Sequence, residues 1–173
     1  AFKWEFWPEW AIYLPIYGLY SLYTLRTGSP AWFSTANPKM IMGGFAAYSK
    51  HEVLQLVPDT HRPLGLKFPK NTPLATIIEE VEISALHYPI IIKPDEGERG
   101  FGVVKINNTE EIAPYLQKYG SLELIAQELI VGPLEFGIMY SRTAKEEKGI
   151  ITSITEKRFM CLIGNGKDSV GKM

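Results

Sequence analysis

The chain has 173 residues and a formal net charge of −1, room for one compact domain or two small ones, with no field to draw it onto nucleic acid or an anionic membrane. Its apolar share of 46% and charged share of 21% are those of a soluble globular chain, which excludes a disordered or collagen-like one. A single cysteine, Cys161, rules out an internal disulfide and suits a reducing, cytoplasmic setting, and no signal peptide is recognisable.

Residues 1–45 form an aromatic-rich N-terminal helical and loop segment. Trp4, Trp7, Trp10, Tyr13, Tyr17, Tyr20 and Tyr23 crowd its start, and from Trp10 to Leu25 apolar residues fall on nearly every face of a helix. Glu5, Pro8, Glu9 and Pro15 argue against a membrane span. Two readings stay open: a helix packed against the rest of the protein, or a membrane-interface contact through the aromatic rings. Asn37-Pro38 and Gly43-Gly44 then mark a loop.

Residues 46–85 are read as a helical linker region. "SKHEVLQLVP" predicts a short helix with Ser49 as N-cap, Glu52 as its capping-box partner and Pro58 beyond its end. "RPLGLKFP" suits one short strand. In "NTPLATIIEEVEISALHYP" the spacing of Leu74, Ile77, Ile78 and Val81 predicts a helix capped by Thr72, with Pro73 in its first turn.

The period changes in residues 86–173. "PIIIK" and "GVVKI" are strands on either side of a turn holding Gly97, Gly100 and Gly102. "NNTEEIAPYLQKYG" predicts a helix closed by Gly120, with Pro114 blurring its start, and "LELIAQELI" a buried strand. "LEFGIMYSR" and "GIITSITE" read as strands joined by the polar loop "TAKEEK"; "RFMCLIG" reads as one more, followed by the turn "GNGKD".

The chemistry concentrates at "YPIIIKPDEGERGFGVVKI". Lys93 closes a run of isoleucines, where an ammonium is costly to bury without an anion. Glycines let backbone N–H groups approach such an anion because no Cβ intrudes. A Walker loop or dinucleotide fingerprint needs a helix directly after the glycines, and here a strand follows. In a protein kinase the lysine follows the glycine loop; here it precedes it. The plain alternative is a hairpin turn. His51, His61 and His87 have no metal-ligand spacing, and Cys161 lies in an apolar run.

This order of strand lysine, glycine loop and strand resembles the ATP-grasp superfamily. The likeness extends over "YPIIIKPDEGERGFGV", "LIAQELIVGPLEFGI" and "ITSITEKRF…GNGKDS", about residues 46–173, and is nearest to the D-alanine–D-alanine ligase branch. It implies an α/β (α+β) fold: an ATP-grasp small subdomain with an antiparallel sheet and flanking helices, preceded by the aromatic segment. It implies that Lys93 contacts the α- and β-phosphates, and that Gly97, Arg99, Gly100 and Gly102 form a mobile phosphate-covering loop. Gln127, Glu128 and Leu129 resemble the hinge whose main chain pairs with adenine, and Glu135 the acid that holds the ribose. Lys50 resembles a second phosphate lysine; Lys157 has no firm counterpart. Each has a plainer reading: Lys50 and Lys157 as solvated lysines, Glu135 paired with Arg142 across a hairpin, Glu128 facing outward.

The implied activity is that of an ATP-dependent ligase that activates a carboxylate as an acyl phosphate for attack by an amine or thiol. Alternatives are a phosphotransferase using the same nucleotide site, and a non-catalytic module docked through the aromatic segment. The implied ligands are ATP, Mg²⁺ and a small-molecule carboxylate, with homo-oligomers conceivable and no nucleic acid. Asp168 is the only acid after Glu156, so the chain is expected to be an N-terminal fragment, inactive alone, with Mg²⁺ ligands beyond Met173.

Overall fold

The computed structural model describes residues 7–44, 48–97, 100–132, 134–158, 163, 164, 166 and 169. The chain divides into two compact units, residues 1–129 and 130–173.

The first unit is built on a four-stranded antiparallel sheet of order β1-β4-β2-β3: β1 (Gly65–Phe68), β2 (Ile90–Pro94), β3 (Val104–Ile106) and β4 (Leu124–Glu128). Residues along β2 alternate strictly, with Ile90, Ile92 and Pro94 buried and Ile91 and Lys93 only partly so, because successive side chains leave a strand on opposite faces. The buried face packs on two helices. α3 (Leu74–Ile83) contributes Ile77 and Val81, and α4 (Ile112–Tyr119) contributes Ile112 and Tyr115, to a core shared with Phe68, Ile90, Ile92, Ile106, Leu124 and Ala126. Both helices bury positions three or four apart, one stripe of a 3.6-residue period. Each fully buried Ile or Leu stabilises the fold by about 1.5–3 kcal/mol.

The opposite face carries different chemistry. Register places Lys93 across from Ile125, Ile91 across from Gln127, and Lys67 across from Ile125 on the other side. Lys67, Lys93 and Gln127 therefore share one face. α2 (Lys50–Gln55) borders it, capped by Ser49, whose Oγ accepts the N–H of Glu52 at 3.1 Å.

Local differences from the sequence reading have local causes. Pro73, rather than Thr72, occupies the N-cap of α3, because the Thr72 hydroxyl turns back to donate to the Pro69 carbonyl at 2.7 Å. The predicted helix over 107–120 divides into a 3-10 turn, Thr109–Glu111, capped by Asn108, and α4. Gly120 caps α4 with φ of −62°, so it supplies no left-handed turn. Pro114 lies in the first turn of α4, where a missing N–H leaves no helical bond unmade.

α1 (Glu9–Thr27) runs through Pro15 and ends at Gly28, whose φ of 69° makes the left-handed cap. Tyr20 and Tyr23 pack on Trp32, and Tyr20 also on Phe33, while Trp10, Leu14, Leu22 and Leu25 are mostly exposed. Among the described residues no helix is long and apolar enough to cross a membrane.

The second unit is an antiparallel ribbon of β5 (Glu135–Ser141) and β6 (Ile150–Lys157), with a register shift between Met139 and Tyr140. The expected strand over "RFMCLIG" and the "GNGKD" turn lie mostly outside the described residues, as do Cys161 and Asp168.

Candidate functional site

The site begins with the lysine that alternation forces off the core face. Lys93 is partly buried, and its Nζ donates to Gln127 Oε1 at 2.6 Å, across the β2–β4 pairing. Burial pushes its pKa below the ordinary value, and the nearby Lys50 cation lowers it further against an opposing pull from Asp95. Lys50, the first residue of α2, donates from Nζ to the Asp95 carbonyl at 2.8 Å and to the Pro94 carbonyl at 3.4 Å. Two ammonium groups thus converge at the end of β2. Lys50 disfavours the charge on Lys93, and a bound anion reverses that penalty.

Asp95 ties this corner together. Its side chain is fully buried. Oδ1 accepts the N–H of His51 at 2.9 Å, and Oδ2 pairs with Lys67 Nζ at 2.9 Å. Its own N–H donates to the Glu123 carbonyl at 2.8 Å. Burial alone pushes the Asp95 carboxyl upward, but hydrogen bonds from Ser49, the His51 amide and Lys67 outweigh it and hold the pKa below the usual range. The Asp95 hydrogen bond, with Glu123 in support at 3.0 Å, holds Lys67 above its ordinary value despite partial desolvation.

The glycine turn follows directly. Gly97, Gly100 and Gly102 have φ of 133°, 77° and 65°, all in the region that favours glycine. A Cβ on Gly102 would meet Pro94 Cδ at 2.7 Å. The Gly102 carbonyl accepts the buried Tyr115 hydroxyl at 2.9 Å, and Phe101 stands edge-on to Tyr119 at 5.7 Å. Arg99 lies outside the described residues.

Beside Gln127 opens a cleft of about 370 Å³, lined in part by His51, Gln55, Arg62, Ile125, Gln127 and Glu128. The main chain of the expected hinge is largely engaged. Gln127 pairs with Gly65 on one side and Ile91 on the other, and the Glu128 N–H donates to the Leu64 carbonyl at 2.9 Å. Of the three hinge residues, only Leu129 lies beyond the paired stretch. The exposed Glu128 carboxylate accepts the Leu64 N–H at 3.3 Å.

The structure therefore brings Lys50, Lys93, Gln127 and the start of the glycine turn to one corner of the first unit. Glu135 belongs to the second unit, where it pairs with Lys157 at 2.8 Å rather than with Arg142. Sequence reasoning missed Asp95, Lys67 and Glu123. The signal was an acid directly after the lysine-proline that ends a buried strand. Among the described residues no group of three His, Cys, Asp or Glu is placed to hold a metal ion.

No protein-family model matches the chain, and no curated protein matches it in sequence. Among solved structures, the VanG D-Ala:D-Ser ligase from Enterococcus faecalis aligns with a TM-score of 0.42 and 23% identity, over 54% of this chain and 26% of the ligase. The chain thus spans about a quarter of that ligase's length.

Proposed function

We propose that this chain binds ATP on the lysine-bearing face of its sheet, as the nucleotide-binding part of an ATP-grasp-type ligase. Lys93 and Lys50 hold the phosphates, and the turn from Gly97 to Gly102 lies against them. The Gln127-Glu128-Leu129 segment receives the adenine, chiefly through Leu129. The reaction class is activation of a carboxylate as an acyl phosphate for attack by an amine or thiol. One observation carries this reading: at the end of β2 the Lys93 ammonium is held, at a cost, near that of Lys50, immediately before a glycine-rich turn.

An anion suits this corner because it supplies the charge that burial and like-charge repulsion withhold. Phosphoryl transfer asks a protein for positioning and charge neutralisation more than for covalent chemistry. Mg²⁺ would share that neutralisation when bound with ATP. The described residues do not fit a metal site of their own.

Calorimetric titration with ATP tests the reading. Lys93→Ala should weaken binding by about 1.5–3 kcal/mol, the scale of a hydrogen bond to a charged group, or roughly ten- to a hundredfold. Equal affinities in the two proteins would remove the phosphate role.

A further inference from the structure

We infer that Asp95 is a positioning residue for the phosphate lysines: its buried carboxylate fixes the first turn of α2 against the end of β2 and so keeps Lys50 beside Lys93. The nature of the bound anion rests on the ATP reading above; the positioning itself rests on geometry.

α2 is six residues long and contains no buried residue. It has little apolar anchorage to fix where its first residue stands. Asp95 supplies a polar one. Oδ1 takes the His51 N–H at 2.9 Å, from the first turn of α2. The Asp95 carbonyl takes Lys50 twice, from Nζ at 2.8 Å and from the backbone N–H at 3.4 Å. Oδ2 takes Lys67 of β1 at 2.9 Å, and the Asp95 N–H reaches the Glu123 carbonyl beside β4 at 2.8 Å. One residue at the mouth of the glycine turn thus bonds α2, β1 and the start of β4. A fully buried carboxylate is a costly way to join elements that apolar packing could join. Its two oxygens have different partners: Oδ2 pairs with Lys67 on the sheet edge, and Oδ1 takes the His51 N–H of the helix that carries Lys50.

That division gives a test. Asp95→Ala removes both oxygens. Asp95→Asn also breaks the pair with Lys67 but keeps an oxygen to accept the His51 N–H. Lys67→Met removes the ion pair and leaves Asp95 in place. All three should melt below wild type. Tripolyphosphate and ATP are titrated by calorimetry, and the Lys93 amine is titrated by NMR in the ligand-free chain.

Asp95→Ala should bind tripolyphosphate about tenfold more weakly, Asp95→Asn should restore affinity to within about twofold, and Lys67→Met should stay near wild type. Asp95→Ala and Asp95→Asn both lack the Asp95 charge, so a higher Lys93 pKa in the alanine variant reports that Lys50 has moved away. Affinity that follows melting temperature across all the variants, or a Lys93 pKa equal in the alanine and asparagine variants, overturns the inference. If the alanine variant does not fold, affinity lost in Lys67→Met and Asp95→Asn in step with their stability overturns it equally. If Lys93 separates the variants while even wild type binds neither tripolyphosphate nor ATP, the positioning stands and the ATP reading falls.

Discussion

Lys93 holds a charge that its surroundings oppose, and this makes its protonation a reporter. Burial first, then Lys50, lowers its pKa from the ordinary 10.5, with Asp95 opposing. Between that lowered value and 10.5 the unfolded chain binds the more protons, so this residue's contribution to stability rises with pH across the window. Asp95 acts at the acid end. Its carboxyl is held below 3.8, so its contribution is full above that value and lost as pH falls through the lowered one. Phosphate binding reverses the bias on Lys93, because an anion favours the ammonium. ATP binding within the alkaline window should therefore take up protons, and affinity should fall as pH passes the lowered pKa. Titrations in two buffers of different ionisation heat read the uptake directly; none at any alkaline pH would show that the anion does not contact Lys93. Lys93 and the glycines were legible in the sequence because their signal is contiguous. Asp95 was not, because its partners His51, Lys67 and Glu123 come from three separate segments that only the folded sheet brings together.

The glycine turn joins β2 to β3, and its two ends differ in a way that substitution can separate. Gly100 and Gly102 both have positive φ, but among the described residues nothing lies within 4 Å of a Cβ on Gly100, while one on Gly102 would press on the Pro94 ring at 2.7 Å. Gly100→Ala should cost only the left-handed conformation, about 1–2 kcal/mol. Gly102→Ala adds a collision with a buried ring that has no flexible end to move aside, for a total of about 3 kcal/mol or more. Thermal melts should rank the two clearly, since 1 kcal/mol shifts the midpoint of a unit of this size by about 4 °C. Equal shifts would mean that the turn rearranges freely and that Pro94 and Tyr115 do not anchor it. The helices and strands of the sheet were readable because their periods are local: Ile77 and Val81 in α3, and the alternation from Ile90 to Pro94 in β2. Ends were read less well. Whether Thr72 caps α3 or bonds back to Pro69 depends on competing hydrogen bonds that apolar spacing does not encode.

At the scale of the whole molecule, the sequence showed where apolar residues lie but not what covers them. The segment from Trp10 to Leu25 is apolar on nearly every face, which suits a helix enclosed by other groups. Yet Trp10, Leu14, Leu22 and Leu25 are 65%, 62%, 59% and 83% exposed. The ribbon unit is alike, with Phe136, Ile138, Ile151 and Ile154 at least half exposed; two strands alone are marginally stable in water. Exposed apolar area of this kind is removed from water by association, at about 25 cal/mol per Å². The purified chain should therefore scatter light with a mass above that of one chain, increasingly so with concentration. Helix α1 is the expected route, because its exposed side chains stand on a continuous rod, whereas the ribbon carries Glu135, Glu156 and Lys157 among its apolar residues. Leu14→Glu with Leu22→Glu should lower the mass toward one chain while leaving the sheet unit's melt intact, since neither residue belongs to the core around Ile90 and Ile92. Ile154→Lys in the ribbon should leave the association in place. A wild-type chain that stays monomeric at high concentration, or one made monomeric by the ribbon variant alone, would take that role from α1.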